Sequence, residues 1–247
     1  LRGFDNVKIQ DYKTSFNTYQ IYSHYKLEIP NQDVRITKSG NYILRIYDEY
    51  QNLVFSRKFI VYEGLATVPT RIKRLRDLTY INTRQSVEFE VNPISIQLNN
   101  PKNTVKTLII QNNNLNTSIS DLKPQYTIGS KLIFKYDQES SFWGGNEYLF
   151  FENKEIRAAN VNVRSFNLYE IYHNYLYKDY PRIDRSYTYN PDINGGFLTT
   201  ALNADDTDIE ADYVNIHFSL KNGAPQPGES IYVVGGFNNY SLGVEYR

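Results

Sequence analysis

The residues that could do chemistry in this sequence are few and widely spaced. Its histidines are His24, His173 and His217, and no two of them have the His-x-x-x-His spacing that places two ligands on one helix face. His24 and His173 lie in tyrosine-rich stretches, and His217 lies in an alternating strand pattern. We therefore interpret each histidine as a packing or surface residue.

Sequence signatures of known catalytic machinery are also missing. The chain has no G-x-S-x-G elbow and no phosphate-binding glycine loop. It has no cysteine, which excludes thiolate nucleophiles and zinc ligation by sulfur. Carboxylates are plentiful, but nothing in the sequence selects two of them as a glycosidase pair. We expect no enzyme activity, no catalytic residue, no resident metal and no cofactor.

An acidic segment near the end of the chain is the one candidate for a cation site. It contains five carboxylates within residues 203–212: Asp205, Asp206, Asp208, Glu210 and Asp212. Calcium takes six to eight oxygen ligands, so such a segment has suitable donors. The segment lacks the glycine and the terminal glutamate of an EF-hand loop. We interpret it as a solvated loop between strands and leave calcium binding open.

A second candidate lies just beyond it. Residues 231–240 resemble the strand and turn of starch- and glycogen-binding sandwich domains, whose pattern ends in G-x-F-N-x-W. Tyr240 stands in the tryptophan position, and an aromatic ring there could stack on a sugar. This alternative assigns glycan binding to Phe237, Asn238, Asn239 and Tyr240. The same pattern also occurs as a plain turn after a buried strand, and the sequence does not decide between the two.

Composition narrows the class of protein. The 247 residues include 27 basic and 27 acidic side chains, so the chain lacks the basic excess of a general nucleic-acid or anionic-membrane binder. No apolar run approaches the roughly 20 residues of a membrane-spanning helix. Because methionine is absent, we expect a processed or trimmed piece, and any signal peptide would lie upstream of it. Its 23 tyrosines suit half-buried strands, or a surface that meets a partner.

The elements that must position these residues are strands. Residues 34–37 and 42–47 alternate apolar and polar side chains around the turn residues Lys38 to Asn41. A return strand follows at 53–62 after a polar gap of hairpin length. Further strands are predicted at 86–91, 104–111, 131–137, 148–151, 197–200, 213–220 and 230–234. Residues 167–180 fit both a helical and a strand period, and their tyrosines favour a strand.

The predicted fold is therefore all-β, with consecutive immunoglobulin- or fibronectin-like antiparallel sandwiches that are incomplete at both ends. Residues 1–64 supply the last part of a first sandwich, because they hold about four strands where about seven are usual. Residues 65–208 form a second, larger sandwich. Residues 209–247 begin a third.

Several stretches, taken in order, resemble one family. They are SFNTYQ at 15–20, YSHY at 22–25, RITKSGNY at 35–42, FWGGNEY at 142–148, DING at 192–195, EADY at 210–213, HF at 217–218 and YVVGG at 232–236. Their order and spacing resemble those of the type 9 secretion system plug protein family, formerly a domain of unknown function. The resemblance covers nearly the whole chain, although the strands that open the family's pattern are absent before Leu1.

The resemblance implies an exported protein at the periplasmic face of the outer membrane, peripheral to it. It implies one partner, the large outer-membrane β-barrel translocon of the secretion system, whose periplasmic opening the plug would occlude when no cargo is engaged. It carries no catalytic residue over to this chain, and it leaves the residues that contact the translocon unassigned.

Overall fold

A computed structural model of the chain describes residues 2–3, 6–144, 148–182, 191–221 and 225–247. Strands arranged in several small sheets make up most of the regular structure. Nearly all strand pairs are antiparallel, and the helical segments are single turns. The predicted all-β class is therefore confirmed. Across the described residues, no helix combines the length and the apolar character needed to cross a membrane.

The strands are, in chain order, β1 (Arg2–Gly3), β2 (Tyr12–Thr14), β3 (Ser23–Tyr25), β4 (Val34–Arg35), β5 (Gly40–Tyr47), β6 (Leu53–Val61), β7 (Ala66–Thr67), β8 (Thr70–Arg74), β9 (Arg84–Pro93), β10 (Leu108–Gln111), β11 (Asn114–Ser120), β12 (Tyr126–Ile128), β13 (Lys131–Phe134), β14 (Ser141–Trp143), β15 (Val163–Leu168), β16 (Tyr172–Leu176) and β17 (Val214–His217). The helical turns are α1 (Pro101–Thr104), α2 (Thr207–Glu210) and two 3₁₀ turns, Gly236–Asn238 and Val244–Tyr246.

The chain divides into two compact units that are each discontinuous in sequence. Unit 1 comprises residues 1–63, 150–180 and 198–223, and unit 2 comprises residues 64–149, 181–197 and 224–247. The domain limits expected from the sequence, 1–64, 65–208 and 209–247, stay predictions.

The predicted hairpin of unit 1 is present as β5 and β6. The two strands pair antiparallel, with Tyr42 opposite Phe59 and their rings stacked at a centroid distance of 5.5 Å. The loop between the strands is closed by Asp48, whose carboxylate accepts hydrogen bonds from the backbone N–H groups of Tyr50 and Asn52. This local bonding explains why a short polar gap between two apolar runs was enough to predict the loop.

The ambiguous stretch at 167–180 contains a strand, β16, as its tyrosines favoured. Tyr172, Asn174 and Leu176 are buried on one face, and His173 and Tyr175 lie on the other. Strand β15 pairs with β16 antiparallel, whereas β17 pairs with β16 in parallel. The parallel pairing departs from the all-antiparallel prediction, and it is possible because the long connection between β16 and β17 permits a crossover.

Unit 2 is built on β9, the longest strand. Strands β7 and β8 pair with one edge of β9, and β13 and β14 pair with the other. Phe89 of β9 stacks on Phe134 of β13 at 4.3 Å, and Leu132 completes the buried cluster. Partly buried side chains surround this cluster: Val87, Val91, Leu98, Val105, Ile109, Leu122 and Tyr136.

The opposite face of β9 buries polar groups. Glu88 is buried and forms an ion pair with Lys73 Nζ at 2.6 Å. Basic residues such as those at 71–76 are typical of the solvent face of an edge strand. The structure gives Lys73 a more specific role, because removing it would leave a buried carboxylate without this counter-ion.

Some predicted strands are wrong. Within the described ranges, residues 148–151, 197–200 and 230–234 have no strand ladder. Their backbones bond elsewhere: the carbonyl of Phe150 accepts from the Asn162 side chain, and the N–H of Val233 donates to the carbonyl of Tyr246. An apolar run predicts burial, but a strand also needs an adjacent backbone to pair with.

We predict that Phe134→Ala lowers the free energy of unfolding of unit 2 by about 3–5 kcal/mol, because it removes a fully buried ring and its stacking partner. The measurement is denaturant unfolding of the 247-residue chain. Leu78→Ala, at a side chain that is 82% exposed, is the control and should stay within about 0.5 kcal/mol of the parent. Equal effects of the two substitutions would contradict this assignment of the core.

Candidate interaction surfaces

Residues 6–63 form a segment without a core of its own. Every side chain in this range is at least partly exposed, and the first fully buried side chain in the described sequence is Leu75. A sheet of two strands is marginally stable by itself in water. The segment therefore depends on contacts beyond its own strands.

The β5–β6 hairpin presents two different faces. One face carries Tyr42, Leu44 and Phe59, which are half-buried. The other face, here called the outer hairpin face, carries the exposed residues Ile43, Arg45, Val54, Lys58 and Ile60. Exposed β-branched side chains interleaved with cations form a surface that could meet a partner of mixed apolar and acidic character.

The acidic segment anchors the β2–β3 hairpin of unit 1. Lys13 Nζ lies 2.8 Å from Asp206 Oδ2, and His24 lies 3.7 Å from Asp208. Asp212 accepts a hydrogen bond from the backbone N–H of Tyr19 at 2.7 Å.

Backbone bonding in the acidic segment adds to this anchoring. The N–H of Phe16 donates to the carbonyl of Ile209 at 2.8 Å, and Asp206 caps the turn α2 by accepting from the N–H of Asp208. Within the described residues, no group of three or more His, Asp or Glu side chains is arranged to hold a metal ion.

The ion pair between Lys13 and Asp206 shifts the pKa of both side chains. The hydrogen bond from the Lys13 ammonium, followed by the one from the backbone N–H of Asp208, lowers the pKa of Asp206 below its ordinary value. The same pair raises the pKa of Lys13. Burial raises the pKa of the Tyr22 hydroxyl, which donates to the carbonyl of Ala211. The carboxylates of the acidic segment thus act as structural acceptors.

The predicted glycan-binding residues form a turn in unit 2. Phe237 is exposed, but Asn238 is buried and Tyr240 is only 6% exposed. The Tyr240 hydroxyl lies 3.0 Å from the carbonyl oxygens of both Asn112 and Asn194, to one of which it donates. Asn239 and Tyr240 both have positive φ, which is uncommon for a bulky side chain. The anchored hydroxyl accounts for a conformation that the backbone alone would disfavour.

The Asn238 side chain holds the turn together by hydrogen bonds to the backbone. Its Oδ1 accepts from the N–H of Gly235, and its Nδ2 donates to the carbonyl of Val233. Gly195, at φ +75°, lies so close to the Tyr148 ring and the Tyr240 hydroxyl that a Cβ there would collide with both. The turn is thus a packed feature of unit 2, and its tyrosine offers no open ring face.

A shallow depression in unit 1 brings together groups that the sequence left apart. It has a volume of about 620 Å³, and we call it the His–Tyr depression. Its lining residues are Gln20, Tyr169, Glu170, Ile171, His173, Tyr175, Asn215 and His217. Tyr169 and Glu170 lie in the turn between β15 and β16, and the remaining aromatic and imidazole rings lie on β16 and β17.

Hydrogen bonds fix the imidazole rings of the depression. Asn215 Nδ2 lies 2.9 Å from His173 Nε2, so the amide donates and the ring nitrogen accepts. His173 Nδ1 therefore carries its proton and donates to His217 Nε2 at 2.9 Å. In this arrangement both rings are neutral, and the remaining N–H of His217 is on Nδ1.

Ring contacts hold the same group together. Tyr175 stacks on His217 at a centroid distance of 4.3 Å, and Tyr169 meets His173 edge-on at 4.8 Å. The sequence gives no reason to relate the two histidines, because they are 44 residues apart. One sequence signal does point to part of this group: the alternation within β16 puts His173 and Tyr175 on the same face of the strand. The parallel pairing of β17 with β16, which adds His217, has no local sequence signature.

Comparison with a solved structure places this architecture among known all-β proteins. The chain superposes on the crystal structure of a hypothetical protein from Parabacteroides merdae ATCC 43184 with a TM-score of 0.92 and 28% sequence identity. The superposition covers 99% of this chain and 62% of that one, so this chain spans less than two thirds of the related protein. No curated protein matches the sequence.

A family model identifies the first segment. Residues 1–63, which include the β5–β6 hairpin, match the type 9 secretion system plug protein 1st domain. The resemblance to the plug family is therefore confirmed over these residues.

We predict that Lys13→Ala raises the pKa of the Asp206 carboxyl toward the ordinary aspartate value of about 4. Because that pKa is lowered in the folded chain, the ion pair favours folding at neutral pH, and its contribution is lost as pH falls through the lowered folded-state pKa. The measurement is a carboxyl NMR titration of parent and variant. An Asp206 titration that is identical in both would show that the pair does not form.

We predict that Tyr240→Phe destabilises unit 2 by about 1–2 kcal/mol, because it removes a donor that lies within reach of two carbonyl oxygens. Thermal unfolding of the variant should shift by a few degrees. Phe237→Ala, at an exposed ring of the same turn, is the control and should change stability little. A Tyr240→Phe protein as stable as the parent would remove the structural role assigned to this hydroxyl.

Proposed function

We propose that this chain is part of a non-enzymatic plug subunit of the type 9 secretion system. In this role it occludes the periplasmic opening of the large outer-membrane β-barrel translocon when no cargo is engaged. The observation that carries the proposal is the match of residues 1–63 to the plug protein 1st domain. The proposed location is the periplasm, peripheral to the outer membrane.

The segment that carries the family match also supports a binding role. Its described part, residues 6–63, has no fully buried side chain, and its outer hairpin face exposes Ile43, Val54 and Ile60 beside two cations. A plug must dissociate when the channel is used, so its contact should be of moderate size and partly polar. Apolar side chains interleaved with cations meet that requirement.

The alternative from the sequence, a periplasmic or surface glycan-binding protein that uses residues 237–240, stays a prediction. The burial of Tyr240 and its bonded hydroxyl give it no support, because stacking on a sugar requires an open ring face. Phe237 alone keeps an exposed ring in that turn.

The experiment is affinity purification of the full-length protein, tagged at its C-terminus, from outer membranes solubilised in mild detergent. We expect a very large β-barrel protein to co-purify in near-equal amount, and imaging of the complex to place the tagged protein over the pore. Purification without any barrel protein would contradict the proposal.

We predict that the double substitution Ile43→Asp and Ile60→Asp reduces barrel recovery by about tenfold or more, because it places carboxylates within an apolar contact. Both side chains are exposed, so the fold should persist. Leu78→Asp, on an exposed side chain of unit 2, is the matched control and should retain the barrel. Undiminished recovery with the double variant would exclude the outer hairpin face from the contact, although the plug assignment itself would stand.

A further inference from the structure

The His–Tyr depression has the features of a ligand site, although neither the proposed plug role nor the sequence assigned one to it. Its volume of about 620 Å³ lies within the range of small-molecule sites. Such sites combine aromatic walls with a small number of polar groups. Tyrosine and imidazole rings supply the walls here, and the strands β16 and β17 hold them in fixed positions.

Tyr169 supplies an open aromatic surface. Its side chain is 62% exposed, and its ring meets His173 in an edge-on approach. Most of the ring therefore remains available to a ligand. The apolar body and polar tip of tyrosine suit a ligand with one apolar face and hydroxyl groups around it.

Several polar groups in the depression have no protein partner among the described residues. They are the carboxylate of Glu170, the hydroxyls of Tyr169 and Tyr175, the side-chain amide of Gln20 and the Nδ1–H of His217. The set includes donors and acceptors in similar number. A sugar hydroxyl both donates and accepts, so it can satisfy either kind of group.

The charge of the site selects among ligand classes. Because both imidazoles are neutral in the observed hydrogen-bond arrangement, Glu170 is the one formally charged side chain among the described residues of the lining. An anionic ligand would be repelled by this carboxylate. A cation could pair with Glu170, but the Nδ1–H of His217 would then face a group that cannot accept its hydrogen bond.

We infer that the His–Tyr depression binds a neutral β-1,4-linked oligosaccharide of glucose-type pyranose units. Equatorial substituents leave each face of such a ring apolar, and one face stacks on Tyr169. Glu170, Gln20 and His217 hydrogen-bond to hydroxyl groups at the ring edge. This site is separate from residues 237–240, and its occupation does not require that the chain act as a plug.

The test uses the 247-residue chain with two soluble probes, cellohexaose and chitohexaose. Titration calorimetry and saturation-transfer NMR should detect binding of at least one probe, with little dependence on salt because the probes are uncharged. Tyr169→Ala should weaken that binding about tenfold or more. Glu170→Gln should weaken it as well, without altering an aromatic contact.

Two control variants establish that binding is specific to the depression. Tyr177→Ala removes a tyrosine that is 57% exposed and lies outside the depression, and it should leave affinity unchanged. Phe237→Ala tests the turn suggested by the sequence and should also leave affinity unchanged. Circular dichroism melts of all four variants establish that losses of binding are not losses of fold.

Three results would overturn the inference. The first is an absence of binding to both probes. The second is binding that survives Tyr169→Ala and Glu170→Gln but is lost in Phe237→Ala, which would move the site to the turn. The third is stronger, salt-sensitive binding of hexalysine that depends on Glu170, which would make the depression a cation site. The co-purification experiment with the barrel is independent of each outcome.

Discussion

The parallel pairing of β16 with β17 is the contact on which the rest of unit 1 depends. It places Val214 opposite Tyr172. The acidic segment comes just before Val214 in the sequence, so it lies where it can anchor the β2–β3 hairpin. The backbone bond from Phe16 to Ile209 and the ion pair of Lys13 with Asp206 follow from that placement. The same pairing puts β17 and its His217 against the imidazole and tyrosine rings of β16.

A segment without buried side chains gains order from such contacts. Residues 6–63 supply tyrosines that meet rings elsewhere in unit 1, including Tyr19 against Tyr172 and Tyr22 against Tyr213. Ring pairs of this kind add about 0.5–1.5 kcal/mol beyond the area they bury. Half-buried tyrosines therefore stabilise residues 6–63, although this segment has no hydrophobic core. These ring contacts do not involve the outer hairpin face, which stays available for a partner.

Polar residues in this chain act mainly as structural acceptors and donors. Asp206 and Asp212 hold backbone and lysine groups, Asn238 closes a turn, and Glu88 is neutralised by Lys73. Side chains that a sequence pattern offers as ligands or catalysts are thus already engaged. Polar groups without a partner among the described residues instead gather in the His–Tyr depression, to which the sequence assigned no chemistry.

Local sequence determined the strand character, the β5–β6 hairpin and the Asp48 loop, because alternation and turn chemistry act over a few neighbouring residues. Ordered short motifs also sufficed to recognise the plug family, as the match over residues 1–63 confirms. The tertiary structure alone decided that Tyr240 is buried and that residues 230–234 form no strand. It also decided that His173 meets His217, because burial and strand pairing depend on which distant backbone lies alongside, and no local pattern encodes that choice.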